Sequence, residues 1–119
     1  MVTRQGWEEQ IKLARYKNVF IESGGITWLF NDEFYPFRGA IEAIRQAAAL
    51  VGMEKLMWGS DYPRTITAIT YRMSYDFVLK SNELTPEEKA MFLGKNAEQF
   101  YGFKHLVELP YIKNMSEWI

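Results

Sequence analysis

Cysteine is absent from this chain, histidine occurs once, as His105, and no apolar run approaches the ~20 residues needed to cross a bilayer. Without cysteine there are no disulfides and no thiolate metal sites, and a single histidine cannot build an imidazole cage. Charge is nearly balanced, with fourteen basic residues against fifteen acidic ones, so neither a nucleic-acid-binding stripe nor an acidic solvated tail is present. The first residues, Met1-Val-Thr-Arg-Gln-Gly-Trp-Glu-Glu, are polar and lack a signal core. These absences leave a soluble, cytoplasmic chain with no nucleic-acid or membrane partner as the expectation. What is abundant is apolar and aromatic: 48% and 16% of the 119 residues, enough for a packed domain and too much for a disordered one.

The pattern along the chain alternates helix and strand. Trp7, Ile11 and Ala14 recur at helical spacing and predict a helix over residues 5–17. Val19-Phe20-Ile21 predicts a short strand, closed by Glu22-Ser-Gly-Gly25. Residues 26–36 form an aromatic-rich connection whose apolar character suits either burial or the mouth of a pocket. Phe37, Ile41, Ile44, Ala48 and Val51 stripe a helix that Gly52 stops. A second strand spans Lys55–Gly59, and a helix is expected over 65–81 on the stripe Ile66, Ile69, Met73 and Phe77. Thr85-Pro-Glu-Glu88 is a capping box that starts a helix running to Gly94, and Asn96 is expected to cap a further short turn ending at Gly102. This order is a β/α unit with two parallel strands joined by a right-handed crossover.

The chemistry-bearing stretch is Lys55-Leu-Met-Trp-Gly-Ser-Asp-Tyr-Pro63. A buried strand delivers Asp61 to its C-terminal end, and Pro63 cannot continue the ladder. Carboxylates at such strand ends often serve catalysis, and an Asp before Tyr-Pro is equally a turn former that binds local backbone N–H groups. Glu22, at the end of the first strand, is a second carboxylate in the same position or a plain solvated strand end.

Leu56-Met-Trp-Gly-Ser-Asp-Tyr-Pro63 resembles the last barrel strand of the amidohydrolase-2 family, metal-dependent TIM-barrel hydrolases that include lactonases of sugar and aromatic acids and related decarboxylases. Asn18-Val-Phe-Ile-Glu-Ser-Gly24 is similar to the preceding strand, and Leu84-Thr-Pro-Glu-Glu88 with Gly94-Lys-Asn-Ala-Glu-Gln-Phe-Tyr-Gly102 to the closing helices. The resemblance implies a partial (β/α)8 barrel: its last two parallel strands with flanking helices over 1–103, and a C-terminal extension over 104–119. It implies Asp61 as the catalytic carboxylate, facing or ligating a divalent metal (zinc or manganese) held by histidines. It also implies a small carboxylic-acid-derived substrate met by Arg64, with Glu22 and Trp28 lining its site. Arg64 read alone is an ordinary exposed arginine. The family's His-x-His motif and later histidines have no counterpart here, and His105 lies beyond the matched region. The expectation is therefore a portion that binds no metal alone and is inactive alone, and that associates with a missing N-terminal fragment or with itself, because two strands with open edges are not a stable sheet. A non-catalytic associating module, a decarboxylase, or a small independent binding domain remain as alternatives.

Overall fold

The computed structural model of the chain describes residues 3–104. Most of the predicted extension, with His105, lies outside the described residues. The architecture is α/β: two parallel strands, β1 (Ile21–Glu22) and β2 (Leu56–Met57), pair in the register Ile21↔Leu56 and Glu22↔Met57. Helices surround them. Helix α1 (Arg4–Lys12) starts where Thr3 Oγ1 accepts from the Gly6 N–H, and it ends earlier than expected in a 3-10 turn over Leu13–Arg15. Its predicted stripe is correct, with Ile11 and Ala14 buried and Trp7 packed against the core.

Both strands are shorter than the sequence pattern implies, for a visible reason. The Lys55 ammonium donates to the carbonyls of Tyr16, Lys17 and Val19 at 2.9, 3.2 and 3.1 Å, and sits 4.4 Å from the Phe20 ring. Val19 and Phe20 are thereby held by a side chain rather than by a ladder. At the other end, the Trp58 N–H donates to the Phe92 carbonyl at 2.9 Å instead of to β1. Pairing stops once neighbouring groups satisfy the backbone.

Between the strands, the aromatic connection contains a short helix, α2 (Ile26–Leu29), and leads into α3 (Arg38–Val51). Ala40, Ile41, Ile44 and Ala47 form the buried stripe of α3. They join Leu56, Phe77, Val78 and Phe92 in one core. Gly52 ends the helix at φ 92, its N–H returned to the Ala48 carbonyl at 2.8 Å.

The helix expected over 65–81 is broken into a 3-10 turn at Arg64–Thr67 and α4 (Met73–Leu79). Threonines cause the break. Thr65 Oγ1 donates to the Ser60 carbonyl (2.5 Å), Thr67 Oγ1 to that of Arg64 (2.7 Å), and Thr70 Oγ1 accepts from the Met73 N–H (3.2 Å). Such local bonds compete with the helix interior, and α4 begins only after Arg72, which makes no side-chain cap bond. Ile66 consequently points outward, 48% exposed, while Phe77 is buried as expected.

The capping box of Thr85 and Glu88 is present at the start of α5 (Pro86–Ala90). Beyond it the chain does not stop at Gly94, nor does Asn96 cap. A π turn over Met91–Lys95 runs into α6 (Asn96–Tyr101) without interruption, and Gly102 ends it at φ 68. Asn96 is buried with helical angles, and its amide donates to the carbonyls of Met53 (2.7 Å) and Leu56 (2.8 Å). It is a strut between the closing helix and β2. Among the described residues no helix is long and apolar enough to cross a membrane.

Candidate functional site

The carboxyl ends of β1 and β2 lie side by side, and Ser23 joins them. Its N–H and its Oγ both donate to the Met57 carbonyl, at 2.8 and 3.0 Å. Sequence reasoning passed over Ser23 as turn chemistry, and nothing in its local spacing marks it as a cross-strand clamp.

Two carboxylates rest on a glycine floor at this end. The Glu22 carboxylate lies directly over Gly59 and beside Gly24, where an added Cβ would meet Glu22 Oε1 at 2.6 Å. Asp61 lies over Gly25, where a Cβ would stand 2.8 Å from Oδ2, and Gly25 itself has φ 71. The glycines at 24, 25 and 59 read in sequence as turn formers, yet here they also make room for acidic side chains. Asp61 adopts φ 50, a left-handed conformation that Asp tolerates better than most residues. Its side chain does not make the turn. Ser60 Oγ accepts from the Tyr62 N–H (3.2 Å), and the Asp61 carbonyl accepts from the Thr65 N–H (3.2 Å). Both carboxylates are exposed, and among the described residues neither accepts a hydrogen bond nor joins an ion pair.

Arg64 follows on the 3-10 turn after Pro63. Its guanidinium carbon sits 5.0 Å from the centroid of the Trp28 ring. Arg64 is exposed, as its bland reading holds, but the cation–π contact with α2 fixes where its charge is presented. Trp58, at the end of β2, packs against the start of α4. Its indole N–H donates to the Ser74 carbonyl at 2.9 Å, and its ring stands edge-on to Tyr71 and Tyr75 at 6.2 and 6.0 Å. The four residues expected from sequence, Glu22, Trp28, Asp61 and Arg64, are thus carried by two adjoining strand ends and the loops that follow them.

Beside Trp28 opens a cavity of about 330 Å³, between the 26–37 connection and the 65–73 segment. Trp28, Phe34, Tyr35, Phe37, Ile69 and Met73 supply most of its wall, so the aromatic connection does line a pocket. A polar knot around the buried Asp76 ties that wall to α4. The Tyr35 hydroxyl donates to Asp76 Oδ1 at 2.6 Å, while Lys80 and Arg72 approach Oδ2 at 3.3 and 3.6 Å. Burial alone pushes the Asp76 carboxyl up, but the Tyr35 hydroxyl and the Lys80 ammonium outweigh it and hold the group below the usual carboxylate value. The same bond, with burial, raises the Tyr35 phenol above its ordinary range. The knot joins residues forty-one positions apart, so periodicity gave no signal of it.

Among the described residues no three His, Cys, Asp or Glu side chains come together in a way that could hold a metal ion. Two carboxylates without a third donor do not make a zinc or manganese site.

Compared with known proteins, the chain matches the family model described as Amidohydrolase (Amidohydro_2) over residues 2–103. No curated protein and no solved structure matches it.

Proposed function

This chain belongs to the amidohydrolase family, and from that premise we propose that it supplies one wall of a hydrolase centre acting on a small carboxylic-acid-derived substrate. The observation that carries this reading is that Glu22 and Asp61 lie against the neighbouring glycines at 24, 25 and 59, with the Arg64–Trp28 pair on the segments that follow the two parallel strands. Ligands in α/β folds bind at the carboxyl ends of such strands. The Asp61 carboxylate, exposed and free of local bonds, would carry a proton to or from the reacting group. Arg64 would hold the substrate's carboxylate by charge-assisted hydrogen bonds, and Trp28 would bound the ring or chain attached to it. The strands and their helices are read as part of a (β/α)8 barrel.

The family is generally metal-dependent. The described residues do not fit a metal by themselves, so the missing donors would come from histidines outside them, and the chain alone would bind none and be inactive. The test is metal analysis and a lactone-hydrolysis panel on the purified chain, alone and mixed with a histidine-bearing N-terminal portion of an amidohydrolase barrel. Hydrolysis that appears on mixing and is abolished by Asp61→Asn supports the proposal. Hydrolysis unaffected by Asp61→Asn refutes the role of Asp61, and stoichiometric zinc or manganese in the chain alone refutes its incompleteness. Carbon dioxide release would mark a decarboxylase instead.

A second reading, a self-associating module without catalysis, is favoured by the exposure of Phe34 (95%) and Leu29 (74%) beside a two-stranded sheet. A monodisperse monomer in light scattering would count against it.

A further inference from the structure

Resting on the site proposed above, we propose that Lys55 is a positioning residue for it: seated in a nest of backbone carbonyls, the Lys55 ammonium fixes the register of β1 on β2 and so sets Glu22 over Gly59. The ladder pairs Ile21 with Leu56 and Glu22 with Met57. Two residue pairs supply few contacts to oppose a slip, and a slip of one residue turns every side chain to the other face. Ser23 clamps the carboxyl end of the sheet on the Met57 carbonyl, at 2.8 and 3.0 Å. At the amino end that task falls to Lys55, which stands next to Leu56 and bonds the segment leading into Ile21.

The nest suits a primary ammonium and no other cation. The Val19 N–H bonds the Tyr16 carbonyl at 3.1 Å, closing a turn that gathers the carbonyls of Tyr16, Lys17 and Val19 around Lys55 Nζ at 2.9, 3.2 and 3.1 Å. Those acceptors use all three N–H donors of the ammonium, and the Phe20 ring lies 4.4 Å from the charge. Among the described residues no carboxylate pairs with Lys55, so backbone rather than an acid holds this cation. A guanidinium offers its donors in a planar fork and cannot reproduce the tripod. A quaternary ammonium keeps the charge and the contact with Phe20 but donates nothing. Because the carbonyls precede β1 and Lys55 precedes β2, the bonds that satisfy the turn also tie the two strand entries at one relative height.

The chain has no cysteine, so Lys55→Cys carries its single thiol. Alkylated in urea and then refolded, that thiolate displaces bromide from 2-bromoethylamine and regains a primary ammonium at nearly the original reach. With (2-bromoethyl)trimethylammonium it gains a charge without donors. The measurement is native-state amide exchange by NMR at the Ser23 N–H, with the buried Ile44 and Phe77 as core references. The primary-ammonium adduct is expected to return Ser23 to within about threefold of the parent chain. The trimethylammonium adduct and Lys55→Arg should exchange at least about tenfold faster at Ser23, while Ile44 and Phe77 change less. Either of these two protecting Ser23 as well as the parent does, or the primary-ammonium adduct failing to restore protection, would overturn the proposal. Ser23, Ile44 and Phe77 accelerating by one common factor, or the trimethylammonium adduct failing to fold, would mark a purely structural lysine and overturn it too. Exchange requires no catalysis, so the two readings fail separately. The expected responses without Asp61-dependent hydrolysis would keep the placement of Glu22 and sink the hydrolase. Asp61-dependent hydrolysis with Ser23 indifferent to the donors would do the reverse.

Discussion

Replacing Tyr35 by Phe removes one hydroxyl and keeps the ring that walls the pocket. The lost bond is short, 2.6 Å, and its acceptor Asp76 is a carboxylate with only 7% of its side chain exposed. A hydrogen bond to a charged group contributes about 1.5–3 kcal/mol. Asp76 keeps Lys80 at 3.3 Å and Arg72 at 3.6 Å, both largely in solvent, so the carboxylate is not abandoned and the lower half of that range applies. The expected loss at pH 7 is about 1.5–2 kcal/mol, which for a chain of this size lowers the melting midpoint by roughly 5–10 °C. The pH dependence has a definite sign. Asp76 has a depressed folded pKa, so its contribution is present above the ordinary carboxylate value near ~4 and disappears as pH falls through the folded value. Tyr35 has a raised pKa, so its contribution is present below about pH 10 and is lost as pH rises through that raised value. The gap between the parent chain and Tyr35→Phe should therefore be flat from about pH 5 to 9 and shrink on acidification toward about pH 3.5. Urea unfolding followed by circular dichroism at pH 3.5, 5, 7 and 9 measures it. A gap below about 0.5 kcal/mol at pH 7, or one that persists unchanged into acid, refutes the assignment of Asp76 as a charged acceptor.

Three further outcomes are expected. Phe77→Ala, at a side chain 1% exposed in the centre of the core, should cost about 3–5 kcal/mol in the same denaturation assay. Asn96→Leu, which strands the carbonyls of Met53 and Leu56, should cost about 2–4 kcal/mol and accelerate amide exchange in residues 53–58. Gly59→Ala places a methyl group on the Glu22 carboxylate. Because that side chain is exposed and can swing away, stability should change by less than about 1 kcal/mol, while any activity that needs Glu22 in place falls.

The parts of the molecule legible in the sequence are those set by local rules. The α3 stripe, the Gly52 stop, the capping box at Thr85 and the parallel order of two strands each follow from spacing or cap chemistry within a few residues. The Asp61 turn was placed correctly, though its geometry rests on Ser60 and Thr65 rather than on the Asp61 side chain. What escaped is long-range. Lys55 reaching back to three carbonyls, Asn96 bracing β2 and Tyr35 bonding Asp76 each join residues more than thirty positions apart, and each overrides a local preference. The 65–81 helix failed for a different reason. Its apolar spacing was sound, but three threonines in six residues offered the backbone other partners. At the candidate site, Glu22, Asp61 and Arg64 were visible as types and positions, whereas the glycine floor and the bare state of both carboxylates belong to the fold.

The π turn over Met91–Lys95 makes the closing helix sensitive to its own length. One extra residue in a helical turn rotates everything after it by about 100° relative to a regular helix. Here that offset brings the Phe92 carbonyl out to the Trp58 N–H and turns Asn96 toward Met53 and Leu56. Deleting a single residue within 91–95 would leave composition and helicity almost untouched and yet swing Asn96 off the strand. Point substitutions at the exposed Gly94 or Lys95 should accordingly be far milder than a one-residue deletion beside them. Tolerance at this joint is thus governed by counting rather than by chemistry, and shortened variants of the segment should lose the bond between the Trp58 N–H and the Phe92 carbonyl before they lose the helix.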